Sequence, residues 1–580
     1  MKRRDMILKS LAAGALLTVP KPLQLFANES KNAVLTEVTG AGNPLRFPPV
    51  FTNGGNMVLA ETTEQVWPGQ DTQIITINSS FPGPSVVIDK GQTFTANVVN
   101  NLSEVITTHW HGLSVPSLMD GHPLQSINPG SSYTYTFPVI NRGGTYFYHA
   151  HADMLTAKQV YRGFAGFFIV RDPAENFNLP SGAYDVPLCI QDRRTADIPN
   201  FPYNPGSPEH TWGYLGDTVL VNGTPNAYFE VSRTLYRFRL LNGSNARVYK
   251  IAFSDSRQFN IIATDGGLKD APVQVTEFNL APGERVEILV DFSGNTIGSN
   301  VTLRSLAYSF GGTLPYKQGI ALDIIRFDVV NNNTSGGVVP GAFNPITYYN
   351  PADVVQTRTF TLTMGSSHPM HKINGLTFDI NRIDWQTRLN SLEKWRIVNQ
   401  TADYHPMHTH ETQWQLLSRN GNTNIAPSDK GWKDTINIGV GETVEVLVKF
   451  TDYKGLYLFH CHNLEHEDEG MMLNFEIIDP IGIQQIGTEV PRSFELHQNY
   501  PNPFNPATKI KFDIAERVAG DASLAVFDIR GRQVAELFKG SITAGKYEAE
   551  WKPDFMPSGT YFAKLTAGNF TKTIKLVLTK

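Results

Sequence analysis

At 580 residues the chain is too long for one hydrophobic core, and about three to four domains of roughly 150 residues are expected. Charged residues make up 18% and the formal net charge is −5, which excludes the basic balance of a nucleic-acid or polyanion binder. Glycine and proline are plentiful and strand-forming runs dominate, so the expected fold class is all-β: sandwiches joined by many turns.

Residues 1–27 read as an export signal rather than as fold. Met1 to Arg4 is basic, Leu11 to Val19 is a short apolar run, and Leu25-Phe-Ala27 suits a cleavage site. The apolar run is far below the roughly 20 residues that span a bilayer. Arg3 and Arg4 followed by Leu8-Lys9 resemble a twin-arginine signal, the alternative being general secretion. With no other membrane-spanning stretch, a soluble mature protein is expected.

Residues 45–173 form the first expected domain. Alternating stretches such as TQIITINSS and SYTYTFPV are punctuated by the turn signals PGP, NPG and RGG. THWHG carries His109 and His111, and YFYHAHAD carries His149 and His151. Side chains two apart on a strand share a face, so each pair can reach one metal cluster.

The second expected domain, 174–332, is strand-rich with no visible chemistry. Its His210 lies in a Pro-rich loop and reads as a surface residue, and the whole domain reads as a spacer. Cys189, in DVPLCIQDRR, reads as a small hydrophobe in a buried strand, unbridged to Cys461, the other cysteine of the chain.

A linker, NNNTSGGVVPG, precedes the third expected domain, 342–480. In ADYHPMHTH, His408 and His410 share parity while His405 faces the other way. In FHCHNLEHEDEGMM, His460 and His462 share one face of a strand and Cys461 takes the other, with His466 and Met471 in the loop beyond. Thiolate, imidazole and a distant thioether are the ligands of a blue-copper centre, which needs one further histidine. Each strand would serve two metal sites on its two faces. His368 and His371 read as loop residues near a substrate mouth.

Residues 481–493 read as a linker, and 494–580 as a small β-sandwich without metal ligands. NYPNPFNPATKIKF, VFDIRGRQVAEL and SGTYFAKL resemble the C-terminal sorting domain of type IX secretion, which the export machinery recognises. The expected location is therefore the periplasm, then the medium or the cell surface.

The four histidine segments hold ten of the fifteen histidines. In order and spacing (HWHG, HxH, HPxHxH, HCHxxxHxxxxM) they resemble the multicopper oxidases, the family of laccases, bilirubin oxidases and periplasmic copper-efflux oxidases. The resemblance implies three cupredoxin-like Greek-key sandwiches and four copper ions. A type 1 copper would take His405, Cys461, His466 and Met471, with Met472 competing for the axial place. A type 2 copper would take His109 and His408. A type 3 pair would take His111, His149, His151, His410, His460 and His462.

The resemblance also implies that Asp120 and Glu467 deliver protons while O2 is reduced to water. The electron donor, a phenol or aromatic amine, would act at an exposed edge of His405 or His466. Cuprous or other metal ions and tetrapyrroles are the alternatives, although no Met-rich run is present. A monomer is expected.

Overall fold

The computed structural model describes residues 42–197, 200–309, 318–478, 483–487, 489–553 and 556–579. The expected export signal lies outside them. Among the described residues no helix is long and apolar enough to cross a membrane. One compact unit extends through Ile477 apart from Arg388–Asn390, and a second holds those three residues and the chain from Ile478.

The larger unit is built from three pairs of sheets. In the first pair, one sheet runs Gln70–Ile77, Asn56–Trp67, Thr93–Asn100, Ser132–Pro138 and the other Gly83–Asp89, Ala165–Arg171, Gly144–Ala150, Thr108–His111. Thr93–Asn100 alternates buried and more exposed residues, as a strand with one wet face must. Gly144–Ala150 is buried throughout. Its first face meets Phe94, Trp110 and Phe168, whose rings lie 4.8 and 5.0 Å from Phe94. On the other side Phe147, Phe167 and Ile169 pack on Cys189 and Leu241 of the second sandwich. Both cysteines are free and buried.

The second pair is a six-stranded and a seven-stranded sheet around a shared apolar core. Asn43–Pro44 adds to the edge of the six-stranded sheet, parallel to Ala227–Ser232, so the chain enters through the second sandwich before building the first. The third pair has two five-stranded sheets. Phe459 of one meets Phe360 and Trp395 of the other at 4.8 and 5.3 Å.

The smaller unit is again two four-stranded sheets, with Phe504 packed on Trp551 at 5.4 Å. Residues 483–487, expected within a linker, form an edge strand antiparallel to Gly545–Trp551. Their own alternation is too short to distinguish a strand from an extended connection without the partner.

A buried ion pair ties the second and third sandwiches together. Arg285 donates from both terminal nitrogens to the two Asp434 oxygens at 2.6 Å, and neither side chain touches solvent. Lys433 beside it reaches Glu284 at 2.9 Å and Asp265 at 3.1 Å. Arg285→Met would leave Asp434 buried without its countercharge, which costs about 3–5 kcal/mol. Urea denaturation of the variant is expected to show a loss of that size, and an unchanged midpoint would mean that the pair is dispensable.

Candidate metal centre

Two antiparallel strands carry four of the ligand-type side chains, His405, His408, His460 and Cys461. His405–Thr409 pairs with Gly455–Cys461 so that Met407 lies opposite Cys461 and His408 opposite His460. Opposed residues share a face, so His408 and His460 point one way while Cys461 points the other. The neighbouring ladder sets Met472 opposite His460. Cys461 N–H donates to the Met471 carbonyl at 3.0 Å, extending that ladder by one step. Met472 is thereby assigned to the face of His460 and Met471 to that of Cys461.

On the sulfur face three donor atoms converge. Cys461 Sγ lies 3.5 Å from His405 Nδ1 and 3.8 Å from His466 Nδ1, and the two nitrogens are 3.2 Å apart. The outer nitrogens are occupied: His405 Nε2 bonds to Thr401 Oγ1 at 2.8 Å, and His466 Nε2 donates to the Thr211 carbonyl at 2.9 Å. Both Nδ1 atoms are then bare and face the sulfur. Burial pushes the Cys461 thiol well above its ordinary value, with the Asn463 N–H at 3.4 Å acting the other way.

The opposite face gathers eight imidazoles from the first and third sandwiches. Nε2 of His109 faces Nε2 of His408 at 3.4 Å. His111 Nδ1 faces His149 Nε2 at 3.3 Å, and the His462 ring stands 4.9 and 5.1 Å from those two. His460 Nε2 lies 3.1 Å from His410 Nε2 and 3.3 Å from His151 Nε2.

Six of the eight give their outer nitrogen to an oxygen acceptor, whereas His151 Nδ1 and both His462 nitrogens have no hydrogen-bond partner. Nδ1 of His109, His408, His149 and His460 donates to the carbonyls of Asp120, Asp434, Ala150 and Cys461 at 2.7, 2.9, 2.8 and 3.0 Å. His410 Nδ1 donates to Asp120 Oδ2 at 2.6 Å and His111 Nε2 to Asp434 Oδ1 at 3.1 Å. Holding the outer N–H fixes each ring's tautomer and turns a lone pair inward. Lone pairs facing one another at such distances repel unless a cation lies between them. The donor set therefore fits metal ions on both faces: thiolate with imidazole on one, imidazole alone on the other.

The electrostatics agree. Burial lowers the pKa values of His109, His111, His408, His410 and His462 well below the ordinary value, that of His149 to about 4 and that of His151 to about 3, so these seven rings are neutral and able to bind metal near pH 7. Burial pushes the Asp120 carboxyl well above its usual range. At Glu467 burial also acts upward, but His460 at 3.1 Å and His151 at 3.6 Å outweigh it and hold the carboxyl low.

Three expectations need correction. His405 and His466 are both 0% exposed, so neither offers an edge to solvent. His371 is no surface-loop residue: it starts a strand, is fully buried, and stacks on His466 with ring centres 3.7 Å apart. Burial lowers its pKa to about 4, partly offset by the Thr211 and His210 backbone. His210 lies on a short helix, Ser207–Trp212, whose backbone receives His466.

Nor is the second sandwich only a spacer. Besides Thr211, it supplies Arg285 to the Asp434 that bonds His111. It also supplies Gly283, at φ +79°, where a Cβ would stand 2.9 Å from the His462 ring. Gly112 of HWHG is equally constrained, since at φ +83° its Cβ would meet Asp434 at 2.5 Å and Arg285 at 2.6 Å.

Family models described as "Multicopper oxidase" match residues 60–175, 198–325 and 346–480. One described as "Secretion system C-terminal sorting domain" matches 498–579. The multicopper oxidase mco of Staphylococcus haemolyticus (strain JCSC1435) is 37% identical over 402 residues, 68% of this chain and 82% of the relative. The laccase of Bacillus subtilis (strain 168) is 30% identical over 471 residues, 70% of this chain and 91% of the relative. Among solved structures, the McoA multicopper oxidase of the hyperthermophile Aquifex aeolicus aligns with a TM-score of 0.69 at 35% identity. That alignment covers 75% of this chain and 99% of the other.

The depressed imidazole values have a consequence for the copper-free protein. Between about pH 6.5, where free histidine titrates, and about 4, where His149 does, the unfolded chain binds more protons than the folded one. Stability is therefore expected to fall as pH drops through that window. The check is the urea midpoint of the copper-free chain at several pH values; a midpoint that rises on acidification would contradict it.

Proposed function

Because this chain belongs to the multicopper oxidase family, we propose that its two buried clusters divide the oxidation of a reduced donor from the reduction of O2 within one exported enzyme. The protein is an oxidoreductase with four coppers, one type 1, one type 2 and a type 3 pair. His405, Cys461, His466 and Met471 would hold the type 1 ion. His109 and His408 would hold the type 2 ion. The type 3 pair would divide between His111, His149 and His462 on one side and His151, His410 and His460 on the other. Bound copper supplies one-electron redox chemistry at the first cluster and four-electron reduction of O2 to water at the second.

The chain's own part is to connect, insulate and supply protons. Cys461 lies between His460 and His462 in sequence, so the covalent path between clusters is one residue long. Carboxyls sit on two sides of the histidine cluster: Asp120 Oδ2 against His410 Nδ1, and Glu467 against His460 and His151. Asp120, kept high by burial, is suited to carrying a proton. Glu467, kept low, is suited to drawing protons in and to balancing cationic charge.

Export follows from the C-terminal sorting domain. We take the route to run through the periplasm to the medium or the cell surface. With both type 1 imidazoles shielded, a phenol or aromatic amine would give up its electron across His371 or the Thr211 backbone rather than by touching a ligand.

The observation that carries this reading is the convergence of Cys461 Sγ with two bare Nδ1 atoms on the reverse of a strand bearing His460. Copper-loaded protein is expected to absorb at roughly 600 nm and to shield Cys461 from alkylation. A colourless holoprotein with that thiol freely alkylated would sink the assignment. Glu467→Gln is expected to slow O2 consumption by about 100-fold with the blue band intact. Unchanged turnover would reduce Glu467 to a structural carboxylate.

A further inference from the structure

Where the first and third sandwiches meet, a cavity of about 290 Å3 is lined by Ser114, Glu411, Trp432 and Asp452, among others. Asp452 at its rim is exposed, whereas Glu411 is 1% and Ser114 6% exposed. Ser114 Oγ lies 3.0 Å from Glu411 Oε1 and 3.0 Å from Asp452 Oδ2. The Tyr453 N–H donates to the same Glu411 Oε1 at 3.3 Å, and Thr451 Oγ1 to the same Asp452 Oδ2 at 3.1 Å. The second Glu411 oxygen, Oε2, is buried and has no hydrogen-bond partner.

This arrangement is short of positive charge. A serine hydroxyl carries one proton, so Ser114 can satisfy only one of the two carboxylates it touches. The other contact sets oxygen lone pairs against each other. A proton on Glu411 relieves that contact and still leaves Oε2 without a partner, and a buried polar atom left so is costly. The cationic side chains of the cavity wall are engaged elsewhere. Lys90 pairs with Asp172 at 2.9 Å, while Arg142 lies over the Trp432 ring at 3.8 Å and donates to Gln413 Oε1 at 3.2 Å. Ser114 is three residues after His111, Glu411 follows His410, and Asp452 lies in the turn that leads into Gly455–Cys461. Three segments that carry the histidine cluster thus converge here through oxygen atoms alone.

We propose that Glu411, Asp452 and Ser114 form a calcium site that fastens the first sandwich to the third beside the histidine cluster. Carboxylate and hydroxyl oxygens, with no nitrogen or sulfur among them, are a hard donor set that suits calcium or magnesium and not copper. Calcium accepts roughly six to eight oxygens in flexible geometry and takes a carboxylate through both oxygens, whereas magnesium demands a near-ideal octahedron. The bare Oε2 beside Oε1 offers the two-oxygen contact, and the open side of the cavity admits water for the remaining positions. Two carboxylates balance the charge of one ion. The role is structural: the ion ties Ser114 of one sandwich to Glu411 and Asp452 of the other and takes no part in electron transfer.

The test uses copper-loaded full-length protein dialysed into calcium-free buffer, with E411Q and D452N as variants. Copper content and the blue band are recorded to confirm intact clusters. Equilibrium dialysis with radioactive calcium is expected to show one saturable site per chain, with a Kd of about 10⁻⁴–10⁻³ M, the range of extracellular modules. Removing one ligand charge is expected to weaken it about tenfold or more in each variant. Saturating calcium is expected to raise the Tm of the parent and to raise that of either variant less. Should one variant fail to retain copper, the other carries the comparison. No saturable binding by the parent, or equal binding by parent and variants, overturns the proposal. Magnesium bound as tightly as calcium overturns the calcium assignment. No measurement here depends on turnover, so the oxidase reading and the calcium site stand or fall separately.

Discussion

The two clusters withdraw ten imidazoles and a thiol from water, and burying such groups without partners is costly. The chain answers the demand twice for most of the imidazoles. Outward, an N–H is given to a carbonyl, hydroxyl or carboxylate oxygen. Inward, a lone pair is left facing another lone pair, which makes the folded protein a repulsive arrangement until cations enter. Metal binding is then part of the packing energy between the first and third sandwiches rather than an addition to a finished fold.

The same constraint explains the buried charges around the cluster. Asp434 accepts from His111 and offers its carbonyl to His408, and its own charge must be neutralised where no water reaches. Arg285 does this through a two-point contact, and the second sandwich becomes a clamp on the imidazole geometry. Gly112 and Gly283 belong to that clamp, because any side chain at either position would occupy space that Arg285, Asp434 or His462 already fills.

Enclosure also shapes how electrons reach the sulfur side. The helix Ser207–Trp212 and the ring of His371 close over His466, so an outside donor would be separated from that ring by an intervening layer.

The alternation of side chains along strands made much of the centre readable from the chain alone. With a period of two, the parity of 405 and 461 against 408, 410, 460 and 462 separates two faces before any coordinates are known. The four sandwiches were likewise announced by alternating runs and turn residues. What the chain could not reveal was set by contacts between strands far apart in sequence. Packing gathered six of the histidines into two groups of three, and the ladder register distinguished Met471 from Met472. Thr211 acts through a carbonyl that any residue would offer, so its identity carries no signal. Arg285 is an ordinary strand residue until Asp434 is brought to it. His371 looks like a loop histidine because its partner, His466, lies 95 residues ahead in the chain and 3.7 Å away in the fold. Local periodicity determines which way a side chain points; only the packed tertiary structure decides what it meets there.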